Sequence, residues 1–431
     1  MKTLCLLALL TSTFSTQASA WHLAAVGAEA RAESYRPRAE VIVAVLDSGL
    51  DLTHPQLKGK IAVNALERDG VAGVDDDGNG VADDVYGYDF FANTPHMTDP
   101  LGHGTEVAGL IAASKAEGVE GLAPSFVKIL PIRIVGAGGV FQLAPALAGI
   151  RYAIARGAKV INASWNVPSD HPELRALMDE LAGEDILLVN SAGNEGELVE
   201  REPTYPTLYQ LPNQLNVANL REELFLSFLS NFSRESVHLA APGEKLLTLR
   251  TGGGVKLVSG TSFAAPLVSA AAAMLWAMHP TLSAREIKAR ILESATPLWQ
   301  LEARLSSGAT LHLGRLLQGL RASQDPSLPQ NWRSTLEGLQ SPHPYAANTR
   351  LFWAIDIPGA REVVLNFARL ELSLGDALEV LDAHGVVLER FSGRYPGPVQ
   401  SKAYAAPISL RLISDDTLEA HGFTLKNIAW R

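Results

Sequence analysis

Cysteine is almost missing from this chain: Cys5 is the only one in 431 residues. It falls inside the first apolar run, so a chain trimmed after residue 20 carries no thiol and forms no disulfide. Such a chain must hold its fold by core burial, with metal as a further staple. Basic charge is also short, with 36 Lys and Arg against 46 Asp and Glu and a net charge of −10. That balance argues against a protein that neutralises many phosphates, and no nucleic-acid partner is expected. Only one stretch reads as directed to a membrane, and it is at the start: the apolar run Leu4 to Leu10, preceded by Lys2 and followed by Ala18-Ser19-Ala20. It is too short for a transmembrane helix and has the small-residue end of a cleaved secretory signal. The expectation is a signal peptide over 1–20, a mature chain from Trp21, a secreted or periplasmic location, and no membrane span after signal removal.

What is present is an ordinary globular composition, 47% hydrophobic and 19% charged, which excludes low complexity and bulk disorder. From about 40 to 320, apolar β-branched runs alternate with small-residue helical stretches. Strands are expected at Val41 to Leu46, Val127 to Val135, Lys159 to Ala163, Ile186 to Asn190 and Asn216 to Asn219. Helices are expected at 105–115, 142–156, 171–182, 262–278 and 283–294. This alternation implies right-handed βαβ units, hence an α/β fold with a doubly wound, mostly parallel sheet whose ligands sit beyond the carboxyl ends of its strands. Between 321 and 345, Gln, Ser and Pro accumulate (Pro326, Pro329, Pro342, Pro344), which reads as a linker. From Leu351 onward, period-two runs such as Glu362 to Phe367, Ala377 to Leu381 and Ile408 to Ile413 read as a smaller all-β sandwich. The domain reading is therefore signal 1–20, α/β domain 21–320, linker 321–345 and β-sandwich 346–431.

Four clusters carry chemistry. Asp47 ends the apolar run Val41 to Leu46, where a desolvated carboxylate needs a partner, although an Asp that caps the next turn gives the same pattern. His103 stands between Gly102 and Gly104 at the start of a helix, where another backbone can approach a neutral imidazole, the usual general base near pH 7. Ser262 opens an alanine-lined helix, either as an N-cap or as a nucleophile favoured by the positive helix end. Asn194, in Asn190-Ser-Ala-Gly-Asn194 after another apolar strand, is turn chemistry by itself and an amide donor for an oxyanion if it shares the crevice.

Together the four blocks resemble the subtilisin-like serine proteases, or subtilases, whose signatures surround Asp, His and Ser in that chain order. Here they read AVLDSGLDLTHPQL, GHGTEVAGLIAA and GTSFAAPLVSAAAAML, with NSAGN between the last two. The resemblance covers about 40 to 300. It implies Ser262 as nucleophile, His103 as general base and acid, Asp47 as the group orienting His103, and Asn194 as oxyanion donor. It also implies an edge strand, Gly139-Val140-Phe141, that pairs with an extended protein or peptide substrate, and a primary specificity wall, Ser164-Trp165-Asn166. Asn166 stands where the family commonly has glycine, so its side chain should narrow or polarise that pocket. Glu106 replaces a common second histidine, and Gln56 an acidic ligand of the family's usual calcium site. Only 26 residues, Trp21 to Leu46, precede Asp47 in the expected mature chain, too few for the folded propeptide many subtilases carry.

Calcium, as a structural ion with no part in catalysis, is expected at Asp75, Asp77, Asn79 and Asp83, whose opening spacing is that of a calcium loop. The C-terminal words Phe352 to Pro358, Val364 to Phe367, Gly375 to Val380 and Leu412 to Asp415 resemble a CUB domain. That resemblance implies a protein or glycan ligand and a second calcium set at Glu371, Asp376 and Asp415. The leading reading is a secreted serine endopeptidase. The alternatives are a catalytically silent binding protein on the same fold, against which the intact set of four residues argues, and a lipase or esterase. The latter fails because Gly260-Thr-Ser262-Phe-Ala264 lacks the final glycine of a nucleophile elbow and the residue order is wrong.

Overall fold

A computed structural model describes residues 21–335, 338–395, 397–416 and 420–431; the expected signal over 1–20 lies outside them. The strands of the first domain are β1 (Val41–Asp47), β2 (Tyr88–Asp89), β3 (Val127–Arg133), β4 (Val160–Ala163), β5 (Leu187–Ser191), β6 (Gln214–Leu220), β7 (Leu239–Pro242), β8 (Leu246–Leu249), β9 (Val255–Val258), β10 (Thr296–Pro297) and β11 (Ala309–Thr310). Nine of them form one sheet in the order β10-β11-β7-β6-β5-β4-β1-β3-β2, parallel except for the β10–β11 pair, while β8 and β9 form a separate hairpin.

Both faces of the sheet are covered, as a parallel sheet requires. Along β1 the side chains alternate between two cores: Val41, Val43 and Val45 pack with helices His103–Ala112 and Thr261–Met278, and Ala44 and Leu46 with helices Leu143–Ala155 and Pro172–Gly183. Helix Thr261–Met278 is buried apart from Ser262, and Ala270 to Ala273 let its backbone lie close to its neighbours. β1 lies between β4 and β3, the place where the strand order reverses, so the crevice at its carboxyl end is where a ligand site is expected.

The C-terminal part holds β12 (Arg333–Thr335), β13 (Arg350–Ile355), β14 (Glu362–Glu371), β15 (Ala377–Leu381), β16 (Val387–Phe391), β17 (Val399–Gln400), β18 (Tyr404–Ala405), β19 (Ile408–Ile413) and β20 (Gly422–Trp430). They form two antiparallel sheets, β12-β20-β14-β17 with β18 also on β14, and β13-β19-β15-β16, around a core of Tyr345, Phe367, Phe423 and aliphatic residues. Parts of the expected linker carry regular structure. Ala322–Gln324 and Pro329–Asn331 form helical turns, and Arg333–Thr335 pairs with the last strand. The two parts touch: Phe225 packs on the C-terminal core with its ring 5.8 Å from that of Tyr395, and Lys426 Nζ lies 3.9 Å from the Trp299 ring.

Candidate active site

Asp47 is the last residue of β1 and is buried. Its Oδ1 accepts the Ser48 N–H at 2.7 Å and lies 2.8 Å from His103 Nδ1, so the carboxylate has the partner its burial demands. His103 is the first residue of its helix, after Gly102 in the left-handed region at φ 86. Glycine at 104 is required by the close crossing: a Cβ there would stand 2.1 Å from the Gly49 carbonyl oxygen and 3.2 Å from Asp47 Cβ. Burial pulls the His103 pKa down, but the charge and hydrogen bond of Asp47, with Glu106 and Asp99 behind it, outweigh that and raise it above its ordinary value.

Sequence reasoning missed Asp99. Buried, it accepts from Ser48 Oγ (2.7 Å), the Gly102 N–H (2.8 Å), the Thr105 N–H (2.8 Å) and Thr105 Oγ1 (2.6 Å). Its negative charge at a helix start binds amides that the helix leaves unsatisfied, and Ser48 Oγ accepts another from Gly104 at 3.0 Å. One carboxylate thereby ties the loop after β1 to the helix that carries His103. The signal was a bare Asp-Pro, which reads as a turn.

Ser262 is the second residue of helix Thr261–Met278 and half-buried. Pro266 is the sixth residue of that helix, past the first turn, and has no N–H to give the carbonyl four residues back, which is that of Ser262. Ser164 Oγ donates to this carbonyl instead, at 3.0 Å, while Ser262 Oγ lies 3.5 Å from the Ser164 carbonyl oxygen. The His103 ring packs against that of Phe263, the neighbour of Ser262, with centroids 5.2 Å apart. Asn194 Oδ1 accepts the Thr261 N–H (2.9 Å) and Thr261 Oγ1 (3.0 Å), so its oxygen faces inward and its Nδ2 the other way, beside the start of the serine helix. Asp47, His103, Ser262 and Asn194 thus meet at one end of the sheet.

The expected substrate wall lies beside them. Val140 is exposed, Gly136 N–H donates to its carbonyl at 2.8 Å, and Phe141 stacks obliquely on Trp165 with centroids 5.1 Å apart. Gly139 ends the exposed helical turn Ala137–Gly139, so 139–141 is not the strand expected and only Phe141 bridges, to Val135. Asn166 is turned into hydrogen bonds with Ser191, Asn190 and Thr207. Of the departures from the family, Glu106 pairs with Lys256, and Gln56 Nε2 donates to the Ser114 and Ala116 carbonyls at 3.1 and 3.0 Å.

The acidic loop is arranged differently from expectation. Glu67, Asp75 and Asp77 each bring an oxygen within 4.8 Å of the others. Asp83 does not join this group: its carboxylate accepts the Gly73 N–H at 3.0 Å, and buried Glu67 takes its place. Asn79 amide hydrogens bind Asp77 Oδ2 (3.0 Å) and Asp84 (3.2 Å). Burial pushes Asp77 up, yet the Asn64 and Asn79 donors hold its pKa below the usual carboxylate range. In the C-terminal part, Glu371, Asp376 and Asp415 form no such group. Glu371 Oε2 pairs with Arg369 at 2.8 Å, and buried Asp376 accepts from Tyr345 OH and the Asp415 N–H.

Residues 38–318 match the Peptidase_S8 subtilase family and residues 330–427 the CUB domain. Subtilisin-like protease 1 of Plasmodium berghei is 31% identical over 264 residues, 57% of this chain and 44% of that one, so the chain spans under half its length. The major intracellular serine protease of Bacillus subtilis is 34% identical over 265 residues, covering 59% of this chain and 76% of that one. A solved chain from the subtilase cytotoxin SubAB assembly has a TM-score of 0.58 at 21% identity, over 69% of this chain and 95% of that one, a likeness of fold. With its matched segment spanning the whole site, the chain belongs to the subtilase family and carries a C-terminal CUB domain.

Proposed function

We propose that this chain is a serine endopeptidase that hydrolyses peptide bonds through an acyl-enzyme on Ser262. The observation that carries the reading is the 2.8 Å contact between His103 Nδ1 and buried Asp47, made beside the serine helix. Asp47 holds the imidazole with Nδ1 protonated, leaving Nε2 to take the Ser262 proton as Oγ attacks the substrate carbonyl carbon. The oxyanion faces Asn194 Nδ2, whose amide is fixed by Thr261. His103 returns the proton to the leaving amine as the C–N bond breaks, and water then releases the acyl group by the same steps. An extended substrate strand adds along Gly139 to Phe141, with Ser164 to Asn166 on its other side. The test is labelling by a serine-directed fluorophosphonate together with casein digestion.

The CUB domain is proposed to bind a protein or glycan. The chain is proposed to act outside the cytoplasm, secreted or periplasmic, on the strength of Lys2, the run Leu4 to Leu10 and the small-residue end Ala18-Ser19-Ala20. N-terminal sequencing of active protein from that compartment should begin at Trp21; an N-terminus that retains the Leu4 to Leu10 run would refute this.

A structural calcium ion is proposed at Glu67, Asp75 and Asp77, a set of hard oxygen donors whose mutual repulsion a cation would offset. With free calcium a hundredfold above its dissociation constant, chelation should lower the melting temperature by about 5–10 °C, and Asp77→Asn should remove that response. A melting temperature indifferent to chelator would rule calcium out.

A further inference from the structure

One side chain bridges the gap between the segments that leave β4 and β5. Asn166 Nδ2 donates to the Ser191 carbonyl at 2.8 Å, and its Oδ1 accepts from Thr207 Oγ1 at 2.8 Å and Asn190 Nδ2 at 3.2 Å. Asn190 Nδ2 also donates to Thr207 Oγ1 at 2.8 Å, which closes the triangle. Asn190 and Thr207 are fully buried, whereas Asn166 is half-buried and forms the outer face of the network. The turn that carries Thr207 is itself fastened to the wall, because Val167 and Tyr205 exchange backbone hydrogen bonds at 2.8 and 2.9 Å. Asn190 Oδ1, buried, has no hydrogen-bond partner among the described residues, so the network has no spare donor with which to rearrange.

The position of this bridge relative to the reacting atoms gives it a consequence. Ser164 contacts Ser262 through both its hydroxyl and its carbonyl, and Asn194 lies three residues past Ser191. With the substrate carbonyl placed between Ser262 Oγ and Asn194 Nδ2, as in the proposed mechanism, the side chain of its own residue would lie against 164–166 and 191–194, the two segments that the Asn166–Ser191 hydrogen bond joins. The Asn166 carboxamide closes that gap. A bulky apolar side chain could enter only by displacing it, which would strand buried polar groups.

We infer that Asn166, Asn190 and Thr207 form a fixed polar floor that restricts the residue on the acyl side of the scissile bond to a short side chain, of the size of alanine, serine, threonine or asparagine. The inference rests on the protease reading and names its substrate class. Neither Asn190 nor Thr207 is a reacting group; both act through Asn166 by fixing its rotamer.

The test uses the full mature chain and a peptide series that differs only in the residue before the cleaved bond: Ala, Ser, Asn, Leu or Phe. Wild type should cleave after the short residues with kcat/KM about tenfold or more above Phe, and Asn166→Gly should raise the Phe-to-Ala ratio by about tenfold or more. Thr207→Val, which keeps the side-chain size but removes the hydroxyl that donates to Asn166, should move the ratio in the same direction. Wild type that labels with fluorophosphonate yet prefers Phe or Leu overturns the floor alone, whatever the variants do, and so does a ratio unmoved by Asn166→Gly. Wild type that neither labels nor cleaves overturns the protease reading and this inference together.

Discussion

Ser262→Ala should give a folded protein that takes no fluorophosphonate label and digests no casein, with kcat lower by about 10⁶-fold, the magnitude that subtilisin itself shows for loss of its serine or histidine. The fold survives because the hydroxyl does little for it: its contact is a 3.5 Å approach to the Ser164 carbonyl at a half-buried position, and Ala is a good helix former. The melting temperature should therefore stay within about 2 °C of wild type, since surface-like truncations cost about 0.5 kcal/mol or less. His103→Ala should lose as much activity, and the double variant no more than either single one, because in the proposed mechanism serine and imidazole act as one unit. Losses that multiply would mean two separate roles. Wild type that melts cooperatively but resists the label would favour the silent binding protein.

Most of the α/β core was legible because its signals are local. The run Val41 to Leu46 is a strand that ends one residue later on Asp47, and helices expected at 142–156 and 171–182 occur at 143–155 and 172–183. The C-terminal period-two runs became β14, β15 and β19 for the same reason. The roles that were not legible depend on partners far along the chain. Asp99 looks like a turn residue until Ser48, 51 positions earlier, is seen to donate to it. Thr207 sits in an unremarkable Tyr-Pro-Thr and gains meaning only from Asn166, 41 positions away. Glu67 belongs to the short helix Ala65–Asp69, outside the Asp-rich loop whose spacing drew attention, and reaches that loop through space. Spacing identified the residues that a motif carries together; it could not identify residues recruited by tertiary contact.

Asp47→Ala should lower kcat by about 3 × 10⁴-fold, as loss of the corresponding carboxylate does in subtilisin. The smaller loss relative to Ser262 follows from the proposed role, in which Asp47 orients and stabilises the imidazole without taking the proton. Its removal also changes how His103 titrates. Burial lowers the His103 pKa, and Asp47 is the first of the charges that reverse this. Without it, burial acts with only Glu106 and Asp99 in opposition, so the pKa must fall below its wild-type value. In wild type the imidazole stays protonated to higher pH than an ordinary histidine, and the acid limb of kcat/KM should lie above pH 6.5 and follow that titration. An NMR titration of labelled histidine, with His103→Ala to assign the signal, reads the shift even where little activity remains. A His103 pKa that stays put or rises in Asp47→Ala would show that Asp47 does not set the charge of the imidazole. The 2.8 Å contact would then be one of packing.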